Sequence, residues 1–201
     1  MVGKGHFINM MGKVAMFDAQ CDFAAIAFGV GDDPDGLLLQ FAEDLRRSGH
    51  RVVGAVQHHI HGLRNPNLDA VMLPGAQVVN LSHHPGDDTQ GCHIDNERLA
   101  TIGCTIESAI EEGANLVIVN RFGKLEAAGR GLVRLIKRAV DADIPVITAV
   151  PAHRFAAWVK YSDGMSVRLP CHRDALDAWW ESVSGGANER SGIACFCAVV
   201  K

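Results

Sequence analysis

The sequence predicts an α/β domain in three layers, a mostly parallel sheet between two layers of helices. Three observations carry this. Four short, largely apolar runs recur along the chain, segments with apolar residues at helical spacing separate them, and glycine or proline marks most junctions. Strands alternating with helices form βαβ units, which build parallel sheets. A length of 201 residues suits one such domain. It is expected over residues 22–183. Residues 1–21 read as a disordered leader, with Met10, Met11 and Met16 as possible internal starts, and 184–201 as a flexible Gly/Ser-rich tail.

Residues 23–28 (FAAIAF) are apolar throughout and are followed by a turn, which fits a buried strand. Asp33 before Pro34 reads as a helix cap with proline at the first helical position, and Leu37, Leu38, Phe41 and Leu45 keep helical spacing until Gly49. Residues 51–57 form the second strand. The stretch 71–81 (VML-PGAQ-VVNL) predicts a small hairpin inserted in the domain, with Pro74-Gly75 as turn formers. A helix follows over 96–112, the third strand over 116–119, one helix over 125–140, and the fourth strand over 144–150. Helices over 152–159 and 174–183 complete the domain.

Nineteen Lys+Arg against 23 Asp+Glu give a net charge of −4, which argues against a nucleic-acid partner. No apolar run reaches the roughly 18–20 residues that span a bilayer, so no membrane partner is expected. Six scattered cysteines in a chain able to bury its own core suit reduced thiols in the cytoplasm better than a disulfide scaffold.

In such a sheet, ligands sit in the crevice outside the carboxyl ends of the strands. The loops after residues 28, 57 and 119 therefore matter most. The first, Gly29-Val30-Gly31-Asp32-Asp33-Pro34-Asp35-Gly36, has the strand–turn–helix setting of a phosphate-binding P-loop. It holds no lysine and no Ser or Thr, and Asp32, Asp33 and Asp35 stand where a phosphate would lie. Like charges about 5 Å apart repel by about 1–3 kcal/mol each at a dielectric near 20, enough to turn an anion away. Three readings stay open: the aspartates cap the helix, they hold a cation or a metal-bridged anion, or a nucleotide site survives.

The third loop reads Asn120-Arg121-Phe122-Gly123-Lys124-Leu125-Glu126, then Gly129-Arg130-Gly131. Asn120 stands where a P-loop nucleoside triphosphatase carries its magnesium aspartate. Arg121 and Lys124 offer positive charge to an anion. Glu126 serves as a base or pairs with Lys124 or Arg130.

These residues resemble a bacterial family known as domain of unknown function 2478. The resemblance is carried by Asp32-Asp33-Pro34-Asp35 before Leu37-Leu38, by the segment from Gly49 to Gln57, and by Gly91-Cys92-His93-Ile94-Asp95. It continues in Asn120 to Glu126 with Gly129, in Ile144-Pro145-Val146 with Val150, and in Trp158. Arg121 and Ile94 depart from the commoner lysine and leucine, and the segment after Gln57 is unusually rich in histidine. The family is similar in outline to P-loop nucleoside triphosphatases, which implies a P-loop-like topology without implying hydrolysis. Its association with molybdenum uptake hints at oxoanion or metal handling.

Six of the ten histidines fall between positions 58 and 93. His59, His61, His83, His84 and His93, with Cys92, are candidate ligands for a transition metal such as zinc or nickel, although no C-x-x-C or H-x-x-x-H spacing supports them. Histidines of a mobile surface loop are the plainer reading, and Cys92 beside Asp95 reads as structural. The expected crevice gathers Gly29, Gly31, Asp32, Asp33, Asp35, Gln57, Cys92, Asp95, Asn120, Arg121, Gly123, Lys124 and Glu126.

The leading expectation is a non-hydrolytic protein that binds a small molecule or ion, with a metal or metal oxoanion ahead of Mg-nucleotide. One alternative is a nucleoside triphosphatase using Arg121 and Lys124 as relocated cations, with Glu126 catalytic in that case alone. The other is a homodimeric interaction module that uses the 71–81 hairpin as its contact.

Overall fold

The apolar runs pair side by side as parallel strands. A computed structural model describes residues 22–58, 68–83 and 93–185. In chain order these form β1 (Phe23–Phe28), α1 (Pro34–Arg47), β2 (Val52–His58), β3 (Asp69–Leu73), β4 (Gln77–Asn80), β5 (Ser82–His83), β6 (His93–Ile94) and α2 (Asn96–Glu111). Then come β7 (Leu116–Arg121), α3 (Lys124–Ala127), α4 (Val133–Asp141), β8 (Val146–Pro151), a 3-10 turn (Ala152–Arg154), α5 (Phe155–Tyr161), β9 (Val167–Pro170) and α6 (Arg173–Ser184). The main sheet has seven strands in the order β4-β3-β2-β7-β8-β1-β9, and β5 pairs with β6 apart from it. The strands from β2 to β9 in that order pair in parallel, while β3 and β4 form an antiparallel hairpin at one edge.

Both faces of the central strands are covered, which is why these strands read as continuous apolar runs rather than as alternations. Ala24, Ile26, Val56, Ile118 and Ile147 pack under α1 and α6, against Leu38, Phe41, Leu45, Leu176 and Trp179. Ala25, Val53, Val117, Val119 and Val150 face the other way, against Ile102, Ile106, Leu135, Ile136 and Trp158 of α2, α4 and α5. Each fully buried Val, Leu, Ile or Phe among them contributes about 1.5–3 kcal/mol. Trp158 anchors the second face: its ring meets Phe23 and Phe122 edge-on, each at 5.0 Å between centroids, and its indole N–H donates to Ser166 Oγ at 2.7 Å.

Three expectations need correction. The helix expected over 125–140 is two helices, α3 and α4, because Gly129 (φ 71°) and Gly131 (φ 67°) take left-handed backbone and break it. The parallel part of the sheet gains an edge strand beyond those expected: β9, whose four residues, VRLP, carry too little apolar pattern to announce it. The helix expected from 152 begins as a 3-10 turn and becomes α-helical only at Phe155. The hairpin over 71–81 is present as β3 and β4. The leader, residues 1–21, lies outside the described residues, as does the tail beyond 185. Among the described residues no helix is long and apolar enough to cross a membrane.

Gly54 shows why one position in β2 admits no side chain. Its φ is 137°, and a Cβ there would lie 1.9 Å from the Ile118 carbonyl oxygen of β7. Gly54→Ala must therefore push β2 off β7. It is expected to destabilise the fold by about 3 kcal/mol or more, read as a lowered urea midpoint. A midpoint within error of wild type would contradict this packing.

Candidate functional site

The carboxyl ends of β7, β8, β1 and β9 lie side by side, and the site is built on them. Register slips by one residue between Val119 and Arg121, so Asn120 is an extra residue in β7 opposite β8. The slip has a consequence for direction. Val119 faces α2 and α4, and without the slip Arg121, two residues on, would face the same way. Instead Phe122 takes that face, packed on Trp158, and Arg121 turns over the end of β8 towards α1.

There Arg121 meets Asp35. Its Nε donates to Asp35 Oδ1 at 3.0 Å and its Nη2 to Oδ2 at 2.7 Å, a bidentate pair, while the guanidinium lies 4.9 Å from the Phe28 ring centroid. Asp35 is 5% exposed. The arginine expected to offer charge to an anion is already matched by a carboxylate of its own chain, in the geometry an oxoanion would use.

The loop before α1 is filled in the same manner. The Gly29 N–H donates to Asp32 Oδ2 at 2.7 Å, and the Gly36 N–H donates to Asp33 Oδ1 at 2.9 Å, which makes Asp33 the cap of α1. Gly31 supplies the turn with φ 93°. In a phosphate-binding loop such N–H groups face the ligand. Here two of them face aspartates.

Glu126 forms no ion pair with Lys124 or Arg130, one of the two roles expected of it. Its Oε2 accepts the Gly123 N–H at 3.0 Å and its Oε1 accepts the Leu132 N–H at 3.3 Å, so it ties the start of α3 to the turn before α4. A Cβ at Gly131 would come within 2.1 Å of that Oε1, a second reason for glycine there. Lys124 is exposed at the start of α3.

Gln57 lies half-buried near the carboxyl end of β2, the strand next to β7 in the sheet and three strands from β1. Asp95 caps α2, accepting the Glu97 and Arg98 N–H groups at 3.0 and 3.1 Å, and its backbone is tied to Leu81 beside the hairpin. His83 and His93 are opposite one another in the β5–β6 register. His59, His61, His84 and Cys92 lie outside the described residues. Among the described residues no group of three His, Cys, Asp or Glu side chains is placed to hold a metal.

Sequence reasoning missed Cys171, Arg168 and His172. With Ala27, Asp32 and Pro170 they line a cleft of about 520 Å³ at the ends of β1 and β9. Burial raises the Cys171 thiol, and the carboxylates of Asp32, Asp33 and Asp35 raise it further against the opposing pull of Arg121, to about 11. No signal short of recognising β9 could have brought this strand end to the loop.

A family model matches residues 23–179, nearly the whole described domain. The chain belongs to the family described as protein of unknown function (DUF2478). Among relatives, this DUF2478 chain is 37% identical over 163 residues to the molybdenum import ATP-binding protein ModC 2 of Bradyrhizobium diazoefficiens, a match covering 80% of this chain and 18% of that protein. The chain thus spans under a fifth of the curated relative's length. Among solved structures, THEP1 from Aquifex aeolicus superposes with a TM-score of 0.58 at 15% identity, covering 83% of this chain and 99% of that one. A human cancer-related nucleoside triphosphatase gives 0.57 at 12% identity, covering 85% and 99%. At such identities these likenesses establish the fold, a P-loop-like α/β domain, and nothing further about activity.

Two outcomes follow for the DUF2478 site. Asp35→Ala leaves Arg121 without its carboxylate in a largely buried setting and is expected to lower stability by about 2–4 kcal/mol, while Asp35→Asn, which keeps one acceptor, loses less. Equal stability of all three proteins in urea would show that the pair contributes nothing. At pH 8 the raised thiol holds Cys171 about a hundredfold below the thiolate fraction of an ordinary cysteine, so alkylation by iodoacetamide is slow there and rises about tenfold per pH unit towards pH 11. Mass spectrometry showing Cys171 modified as fast as the exposed Cys104 at pH 8 would contradict it.

Proposed function

We propose that this chain is a non-hydrolytic ligand-binding domain serving molybdenum import, and that its ligand is a small oxoanion. The observation that carries the reading is the filled loop: the Gly29 and Gly36 N–H groups and the Arg121 guanidinium each bear a carboxylate of the chain itself. A Mg-nucleotide does not fit this arrangement. Residues 29–36 contain no lysine to reach a terminal phosphate and no hydroxyl to hold magnesium, and three carboxylates meet the phosphates instead.

The cleft beside the loop offers a different seat. Arg168 brings a permanent positive charge and His172 a ring donor, and the protonated Cys171 thiol lines the same cleft together with Asp32. Arg168 lies 4.5 Å from the Phe155 ring centroid, which presents a planar, weakly hydrated cation suited to oxoanions. The name of the 37%-identical relative supports molybdenum as the element concerned. The cytoplasm, where thiols stay reduced, is the compartment we propose.

A second reading, nucleotide binding, is favoured by that relative's description as ATP-binding and by the nucleoside triphosphatase among the fold neighbours. Calorimetric titration of the full chain with sodium molybdate, and separately with MgATP and MgGTP, decides between them. Saturable molybdate binding that weakens at least about tenfold in Arg168→Ala, with no phosphate release from either nucleotide, is the expected result. Nucleotide turnover, or molybdate binding indifferent to Arg168, would overturn the proposal.

A further inference from the structure

We propose that a second copy of this chain docks on the exposed side of α5, inserting the loop before α1, so that two copies associate about a two-fold axis. Unmatched charge and exposed apolar surface coincide around α5. The arginines of α1, α2, α4 and α6 are matched by carboxylates: Arg46 and Arg47 by Glu43, Arg98 by Asp95, Arg134 by Glu107, Arg138 by Glu111, and Arg173 by Asp44 and Asp177. Among the described residues Lys124, Arg130, Arg154, Lys160 and Arg168 form no ion pair, and three of them, Lys124, Arg154 and Lys160, lie on α3, on α5 or on the turn that leads into α5, two helices that pack on each other. Asp163 is the single acidic residue between positions 151 and 170.

Val159, Tyr161 and Met165, on α5 and just beyond it, are exposed large apolar side chains. An apolar centre that includes an aromatic, edged by arginine and lysine, has the composition of a protein contact surface.

The loop before α1 is its complement. Val30 is fully exposed at 109%, and the exposed Asp32 and Asp33 stand beside it, an apolar tip with an acidic edge. Charge complementarity therefore commits the surface to another copy of this chain. The symmetry agrees. The loop leaves β1, Arg154 follows β8 and Lys124 follows β7, so both patches belong to the carboxyl end of one sheet. A two-fold axis through that end sets each loop on the other copy's α5 and closes the assembly at two. The hairpin expected from sequence to make such a contact lies at the β4 edge, away from this end.

Sedimentation velocity on the full chain tests the proposal at about 100 μM chain and about 50 mM salt, where screening is weak. Wild type is expected to be dimeric and to dissociate as salt rises. Val30→Lys and Lys160→Glu should each weaken association by about tenfold or more. The double variant places opposite charges at these two positions across the axis and should restore it. Both positions are exposed, and thermal melts monitored by circular dichroism confirm folding of each variant. Lys124→Glu supplies a further single variant with the same expected loss. A monomer throughout, a dimer that ignores these changes, a dimer lost only in Val78→Lys at the hairpin, or single losses without restoration would each overturn the proposal.

Discussion

The bidentate pair between Arg121 and Asp35 is the contact on which the candidate site depends. It joins the end of β7 to the first turn of α1 across the end of β8, three elements no local rule brings together. The pair exists because Asn120 adds one residue to β7 opposite β8, which sends Arg121 to one face of the sheet and Phe122 to the other. One slip of register thus sets both an ion pair and the aromatic contact with Trp158. A buried pair of this kind adds little stability over apolar residues of equal volume, but breaking it leaves a charge without a partner. Its effect is to hold the loop and the β7 end in one arrangement.

That arrangement accounts for a scaffold that keeps the backbone of a phosphate site while its donors point at carboxylates of the same chain. Helix N-termini favour negative charge, and Asp32, Asp33 and Asp35 supply it covalently. A soluble anion must displace tethered carboxylates held at high effective concentration, and must then approach the charge they carry. The cleft between β1 and β9 shares Asp32 with the loop, but its donors Arg168 and His172 stand outside the loop's hydrogen bonds.

Much of the fold could be read from the sequence, and the parts that could not have physical reasons. The runs 23–28, 116–119 and 144–150 are apolar on both faces, so burial alone declared them strands. The hairpin announced itself through Pro74-Gly75. The helix expected over 125–140 failed because its apolar spacing continues through Gly129 and Gly131, where backbone conformation rather than burial decides. Around the site, Asp33 as a cap was legible from its place before Pro34. Pairing of Arg121 with Asp35 was not, because it depends on a register slip with no local signature. Glu126 was expected as a base or as a partner of Lys124 or Arg130, whereas its two oxygens hold backbone N–H groups, a contact that depends on the turn before α4. Cys171 was invisible as part of a site because the four-residue β9 that carries it there has no clear period.

The central claim is that the loop's donors are occupied from within. Amide chemical shifts of uniformly nitrogen-15-labelled protein test it most directly, followed while MgATP is added to millimolar concentration. The account predicts that the Gly29 and Gly36 amides and the Arg121 Nε–H keep their positions throughout. Saturable movement of those three signals would show that a nucleotide displaces the aspartates, and would contradict it.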